Sequence, residues 1–516
     1  MRKWIIAVAS LLLVAGIAAI LLIRVYTPRL KQAALVNAQA YLAHRLEGSV
    51  TFSDFHVTLY PKVRIVVDDL VVRHKGRTDI PPLVEVKEVL LDGSLSSLLH
   101  RKLEISSATL VGLQINTPPR VSGGPPLIHG TDQDLAAKYR FTIREVHADD
   151  AVLTVLRAKP DKPPNQWFIH HLTLNNFSFD QPAEFHAVLS NPKPRAEIDC
   201  KGTFGPWDAE NPRETPVSAD YVFDKADLGT LKGLRGTLSS TGKFAGPLDY
   251  LAVTGVTDTP DFALRISGHP MALHTDFTAI VDGTNGNVIL KNVTAKFLHT
   301  TLVTHGEVVD EYPKVKGRTI ALDAFSDKAR IEDLLLLAVK STEPIMTGAA
   351  RLKTKILIPE EELDVIQRLQ LDGEFGIGEA HFTSSAVQDK VDALSRRGQG
   401  KPKAPDISDE LSNLTGSFKM EDETIAFSNL NFGVEGADIS LSGTYAMDGG
   451  QIDFRGKLRT QAKVSQMVTG WKSVVLKPFD GFFKGKNGGA EIPIKITGTR
   501  DQPVYGTDFG DKDNKR

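Results

Sequence analysis

From Gly48 onward the chain is dominated by alternation. Ala437, Ile439, Leu441, Gly443 and Tyr445 are interleaved with Asp438, Ser440, Ser442 and Thr444. The next stretch repeats this, setting Ile452, Phe454, Gly456 and Leu458 against Gln451, Asp453, Arg455, Lys457 and Arg459. Leu414, Gly416, Phe418 and Met420 follow the same rule, as do Ala196, Ile198, Cys200 and Gly202. Successive side chains of a strand face opposite sides, so these segments predict strands with one apolar and one wet face, as in an antiparallel sheet.

A small motif, apolar-x-Gly-x-large, recurs at Cys200 to Phe204, Leu234 to Leu238, Leu371 to Phe375, Leu414 to Phe418, Leu441 to Tyr445 and Phe454 to Leu458. Its glycine always falls on the apolar face. Glycine inside a strand weakens it and marks a bend, a bulge or a close approach. Repeated along a sheet, it permits strong curvature with space on the concave side. A filled sandwich packed on a second sheet accounts for the same pattern, and both readings stand at this stage. No strict repeat length argues for a solenoid.

Helical patches interrupt the strands. Residues 329–339 follow a capping candidate at Ser326 or Asp327. Val387, Val391 and Leu394 mark one face of a short helix, and residues 396–405 and 118–130 read as loops. Val464, Met467, Val468, Trp471 and Val475 fit one helical face. Phe479, Phe482 and Phe483 follow, with Lys472, Lys477, Lys484 and Lys486 interleaved. Such a mixture caps a sheet or sits at a lipid interface. Pro493 falls on the polar side of its strand, which suggests a sheet edge.

The N-terminus differs. Trp4 to Ile23 carries no charge, and twenty residues at ~1.5 Å rise span ~30 Å, a bilayer core. Ala7, Ala9, Ala15, Ala18 and Ala19 imitate a signal-peptide cleavage site, but the apolar run continues through Ile23. The expectation is an uncleaved anchor, N-terminus inside and body outside. Arg2 and Lys3 on one side and Arg24, Arg29 and Lys31 on the other do not themselves decide orientation. Residues 28–46 read as a short helix, and no second comparable apolar stretch appears.

Composition and chemistry narrow the function classes. With 61 Lys and Arg against 63 Asp and Glu in 516 residues, nothing electrostatic invites nucleic acid. A single cysteine, Cys200, excludes an intramolecular disulfide and a multi-cysteine zinc site. There is no phosphate-cradling loop, metal-binding His-Glu-x-x-His helix or Gly-x-Ser-x-Gly elbow. Gly376-Ile-Gly378 lacks the third glycine of a dinucleotide site. His170 and His171 are neighbours, expected to face opposite ways, and His299 and His305 lie ~20 Å apart along a strand. Asp508, Asp511 and Asp513 lack the ordered ligands of a calcium loop. The expectation is a non-enzyme with no catalytic, metal or cofactor residues.

Two stretches resemble the AsmA-like family of bacterial envelope proteins. The first joins residues 48–61, 83–91 and 105–115; it resembles the family's N-terminal region. The second, residues 329–506, contains Gly436-Ala-Asp-Ile-Ser-Leu-Ser-Gly-Thr-Tyr445, Ile496-Thr-Gly-Thr499 and Pro503-Val-Tyr-Gly506. The resemblance covers roughly half the chain. It implies an inner-membrane anchor over residues 1–27, an N-terminal region over 28–130, a middle β region over 131–328, a C-terminal β region over 329–506 and a disordered tail over 507–516. It also implies an elongated, strongly curved, taco-like antiparallel groove in the periplasm, and a part in outer-membrane homeostasis by binding or conducting phospholipid. Roughly 30 strands at ~4.8 Å would make such a groove ~140 Å long. Candidate lining residues are Leu371, Phe375, Leu414, Phe418, Ile439, Leu441, Tyr445, Ile452, Phe454 and Leu458. The expected partners are phospholipid, membrane and other envelope proteins. The alternatives are an assembly factor offering a sheet edge to outer-membrane proteins, and an envelope hydrolase, for which no convergent polar set is visible.

Overall fold

The computed structural model describes residues 36, 39–40 and 42–44 and most of the chain from 46 to 508. Outside it, besides isolated loop positions, lie 59–62, 94–101, 118–139, 157–164, 311–316, 405–410 and 473–475. The expected anchor Trp4 to Ile23, the loop at 118–130 and most of the expected helix at 28–46 fall outside the described residues. Among the described residues no helix is long and apolar enough to cross a membrane. The protein is mostly β, with twenty-six strands and few helices among the described residues, and it divides into two units.

The first unit comprises residues 1–190, 198–219 and 245–249. It holds β1 (Gly48–Thr51), β2 (Asp54–Thr58), β3 (Val63–His74), β4 (Val84–Gly93), β5 (Lys102–Val111), β6 (Gln114–Thr117), β7 (Arg140–Val155), β8 (Asn165–Phe177), β9 (Ala183–Pro192) and most of β10 (Arg195–Phe204). β1 and β2 both pair with β3, which pairs with β4; β5 and β6 follow each other along β4. β7 then runs parallel to β5 and β6, which corrects the expectation of a purely antiparallel sheet. A parallel neighbour needs a crossover of a dozen or more residues, and 118–139 supply the length. β8 and β9 return to antiparallel pairing. The core is closed: Val86, Val89, Leu113, Ala148, Ala151 and Ile169 form one buried cluster, and Ile105, Ala108, Ile143 and Val146 another. Cys200 is buried, with its thiol directed to the Ala187 carbonyl at 3.5 Å. Burial, then the charge of Asp199, pushes its pKa up to about 11, so it stays a protonated thiol at neutral pH.

The second unit comprises residues 191–197, 220–244 and 250–516. It holds most of β11 (Pro216–Asp227), β12 (Leu234–Arg235) and most of β13 (Thr237–Pro247), then β14 (Leu251–Leu264), β15 (Met271–Asp282), β16 (Asn287–Phe297), β17 (Thr300–Val309), β18 (Thr319–Arg330), β19 (Met346–Ile358), β20 (Gln370–Phe382), β21 (Ser412–Glu421), β22 (Thr424–Val434), β23 (Ala437–Ala446), β24 (Gln451–Thr460), β25 (Ala490–Thr499) and β26 (Pro503–Thr507). From β14 to β26 each strand pairs antiparallel with the next. Thirteen strands at ~4.8 Å make this meander ~58 Å long. Tight hairpins hold the order; Asp422 and Glu423, both at positive φ, form the two-residue loop between β21 and β22.

Among the described residues, three helices interrupt the strands: α1 (Ile331–Ala338), α2 (Val365–Arg368) and α3 (Ser385–Gly398). α1 lies where expected, but Ser326 and Asp327 do not cap it, because β18 continues to Arg330. The Ser326 hydroxyl instead donates to the Thr301 carbonyl. α3 extends through Arg396, Arg397 and Gly398, which were expected in a loop. Its buried residues are Gln388, Val391, Asp392, Ser395 and Gly398, with Val387 exposed, so its inner face is rotated from the expected one. The expected helix at 464–475 is not continuous among the described residues; short 3-10 turns occur at Val464–Gln466 and Lys477–Gly481. β25 is not the edge, since β26 pairs with it from Ile494 to Gly498. Pro493 lies just beyond that pairing, its carbonyl accepting from the Asp508 N–H at 3.1 Å.

Candidate binding face

Paired residues of an antiparallel ladder point to the same side, so the register shows what lies on each face. One line runs from Gly255 on β14 through Phe277, Val293, Thr304, Ala324, Thr354, Gly373, Phe418, Phe427, Gly443, Phe454 and Ile496 to Tyr505 on β26. A second runs from Val253 through Ala279, Leu290, Gly306, Leu322, Ile356, Leu371, Met420, Ile425, Tyr445 and Ile452 to Gly498. A third joins Leu352, Phe375, Gly416, Leu430, Leu441, Gly456 and Ile494. A fourth joins Ala350, Ile377, Leu414, Phe432, Ile439, Leu458 and Ile492. All four share one face. The structure therefore brings together all ten residues singled out from the sequence.

Glycine and phenylalanine meet on this face by design of the register. Gly373 faces Phe418, Gly416 faces Phe375, and Gly443 lies between Phe427 and Phe454. At Gly416 a Cβ would stand 2.8 Å from the Phe375 ring, so the ring occupies the place of the absent side chain. At Gly443 and Gly456 it would stand 2.0 Å and 1.9 Å from the carbonyl oxygens of Asp453 and Ser440 on the neighbouring strand. No larger residue fits these backbones without separating the strands. The aromatic rings form a chain: Phe418 to Phe375 at 6.1 Å, Phe375 to Phe427 at 6.3 Å and Phe427 to Phe454 at 5.8 Å. Two shallow cavities, of about 380 Å³ at Phe375, Gly416, Arg351 and Glu374 and about 670 Å³ at Tyr221, Gly255, Phe277 and Asp276, draw their linings from residues of both sides of the sheet.

The ten residues are all half-buried, neither exposed nor sealed. Met420 in the second line is buried. A second layer packed over a sheet face takes its side chains out of contact with water; here the cover is local. α1 lays Ile331, Leu334 and Leu335 against Ala329, Met346, Ala350, Ile377 and Ala380, closing the start of the fourth line. Asp333, 2% exposed, pins this helix by accepting from the His299 N–H and the Thr300 hydroxyl, each at 2.8 Å. No buried cluster among the described residues draws a buried member from β22 to β25.

The opposite face is charged. Lys419 pairs with Asp372 at 3.3 Å and Arg455 with Asp453 at 3.6 Å. Lys457 and Arg459 share Glu491 at 2.6 and 3.0 Å, and their hydrogen bonds, Lys457 first, hold its carboxyl below the usual range.

Alternation alone missed the lining residues of β22. Ile425 and Phe427 are followed at a spacing of three by Leu430 and Phe432, and the register shift between Phe427 and Leu430 keeps all four on the apolar face. That spacing is the sequence mark of a β-bulge. Ile492, Ile494 and Ile496 of β25 alternate plainly but were singled out only by their proline.

A bulge also corrects the histidine expectation. The shift between Ile169 and His171 pairs His171 with Val188, on the side of Ser190, so exposed His170 and half-buried His171 lie on one side. His170 meets the Ser190 hydroxyl at 2.6 Å and His171 meets Asp149 at 2.7 Å. His299 reaches Asp333 at 3.6 Å and His305 reaches Asp323 at 3.8 Å, in separate pairs. Asp54, His56 and Asp68 come close enough to share a cation, but Asp54 and His56 are exposed, His56 to 60%, and Asp68 is half-buried.

No family model matches the chain, nor does any curated protein or solved structure.

Proposed function

We propose that this protein is an AsmA-like envelope protein whose second unit holds phospholipid acyl chains along the glycine–phenylalanine face. In this reading residues 4–23 anchor the chain in a bacterial inner membrane, and the β body works in the periplasm as a non-enzymatic lipid carrier that serves the outer membrane. The observation that carries it is the run of apolar rows left half-open across β20 to β25. Acyl chains lying there would gain ~25 cal/mol per Å² of apolar surface removed from water. Head groups would stay wet, so no charged pocket is needed. Glycine at alternate crossings would let the sheet curve around its cargo. A face of Leu, Ile, Phe and Gly discriminates little between chain lengths, which suits sliding.

The test is mass spectrometry of lipid co-purifying with the full chain in a mild detergent, beside a Leu441→Glu, Phe454→Glu variant. Phospholipid at a fixed ratio in the parent, lost in a variant with an unchanged circular dichroism spectrum, supports the reading. Equal lipid in both, or none in either, overturns it.

A further inference from the structure

The charge of this chain is unevenly placed. Residues 455–500 hold ten Lys or Arg and only Asp480 and Glu491 as acids, whereas the whole protein has a net charge of −2. The remainder is therefore acidic. Part of the basic segment is ordered into strands. Arg455, Lys457 and Arg459 occupy alternate positions of β24, on the side opposite the apolar rows, and are 64%, 54% and 56% exposed. Across the ladder Lys495 of β25 lies directly opposite Arg455. Like charges facing each other across strands destabilise a sheet. Arg455 pairs with Asp453 of its own strand, Lys457 and Arg459 share one carboxylate, Glu491, and Lys495 has no ion pair among the described residues. The four cations outnumber the carboxylates that pair with them, a surplus that an anionic ligand would meet.

An apolar edge adjoins the cations. Val504 of β26 faces Thr497, one step along the same side from Lys495, and is 61% exposed, whereas Tyr505 faces Ile496 on the side of the apolar rows. The surface is a spread of cations beside an exposed aliphatic side chain rather than a pocket. A lipid leaflet offers the complement, with phosphates at its surface and an apolar layer beneath.

We propose that the β24–β26 end of the second unit docks on an anionic lipid surface, with Arg455, Lys457, Arg459 and Lys495 at the phosphates and Val504 in the interfacial layer. This builds on the lipid reading of the apolar face, since the docked leaflet would give or receive the cargo. Each cation near such a surface strengthens the attraction severalfold, and salt screens it.

The experiment holds the full chain in neutral phosphatidylcholine nanodiscs and measures capture of vesicles with and without phosphatidylglycerol. Capture should need phosphatidylglycerol and fall at high salt. Arg455→Gln, Lys457→Gln, Lys495→Gln together should reduce it roughly tenfold or more. Val504→Ser should weaken the part that resists salt. The Leu441→Glu, Phe454→Glu variant should still capture vesicles, which separates failure of the docking surface from failure of the apolar face. Equal capture of neutral vesicles, an unaffected triple variant, or displacement of the vesicles by single-stranded RNA would overturn the proposal.

Discussion

The two units use the same alternation to opposite ends. In the first, the apolar sides of β4, β7 and β8 close on one another, and Val86, Val89, Ala148, Ala151 and Ile169 are all at most 8% exposed. In the second, the apolar side of β20 to β25 stays half-open. Period two is common to both, so periodicity announces a face but not its cover. Residue size separates them. The closed core is built from Val, Ala, Leu and Ile, which fill space evenly. The open face sets Phe against Gly, and each ring spends its contact area on the bare backbone of its own sheet. A sheet that satisfies its aromatics internally needs no second layer.

The strongest way to break this comparison is to fill the glycines. Gly443→Val and Gly456→Val place side-chain atoms where the Asp453 and Ser440 carbonyls already lie. Each is expected to cost about 3 kcal/mol or more, through steric overlap and lost pairing between β23 and β24. Hydrogen exchange would show it as early opening of β23 and β24. Gly93→Ala in the first unit meets nothing within 4 Å and should leave exchange unchanged. Comparable behaviour at the two sites would remove the special role of the face glycines.

Next in size is the α1 clasp. Asp333→Ala leaves the His299 N–H and the Thr300 hydroxyl without their buried acceptor, at a cost of roughly 2–4 kcal/mol. With α1 loosened, Met346, Ala350 and Ile377 would come to resemble the open rows beside them. Increased binding of a hydrophobic dye, confined to this variant, is the expected readout. A stable variant with unchanged dye binding would mean the clasp does not hold the cover.

The first unit has a pH response of its own. His74 is 8% exposed, and burial, followed by the charges of Lys75 and Arg77, lowers its pKa from 6.5 to about 4. Between those values the unfolded chain binds a proton that the folded chain refuses, so stability rises with pH across the window. Acidification from pH 6.5 towards 4 should remove up to about 3 kcal/mol from this unit. His74→Phe should flatten that slope in urea titrations followed at successive pH values. An unchanged slope would place the titrating group elsewhere.

Most strands and the ten face residues were legible because alternation reports side-chain direction directly. Three things were not. A bulge adds a residue without changing composition, so alternation broke silently at Phe427 and again at Ile169. The parallel placing of β7 depends on a crossover, and local pattern carries no information about strand direction. Helix ends were misread at Ser326 because a strand that still has a partner outcompetes a capping hydroxyl. The recurring glycine was visible from the start, but only register shows that at Gly373, Gly416 and Gly443 the cross-strand neighbour is a ring.

The smallest expected effect is also the sharpest discriminator. Truncating a sealed side chain loses its transfer free energy and leaves a cavity, so Val89→Ala should cost about 1–3 kcal/mol. Leu441→Ala on the open face loses only the part of its surface that was shielded, and water can enter the space, so it should cost less than about 1 kcal/mol. Hydrogen-exchange opening energies measured separately in β4 and β23 give both values in one protein. If Leu441→Ala costs as much as Val89→Ala, something covers the face in solution, and bound lipid is the cover to look for first. Stripping lipid from the parent with detergent should then bring the Leu441 value down while leaving the Val89 value fixed, because only the open face has a cover that can be removed.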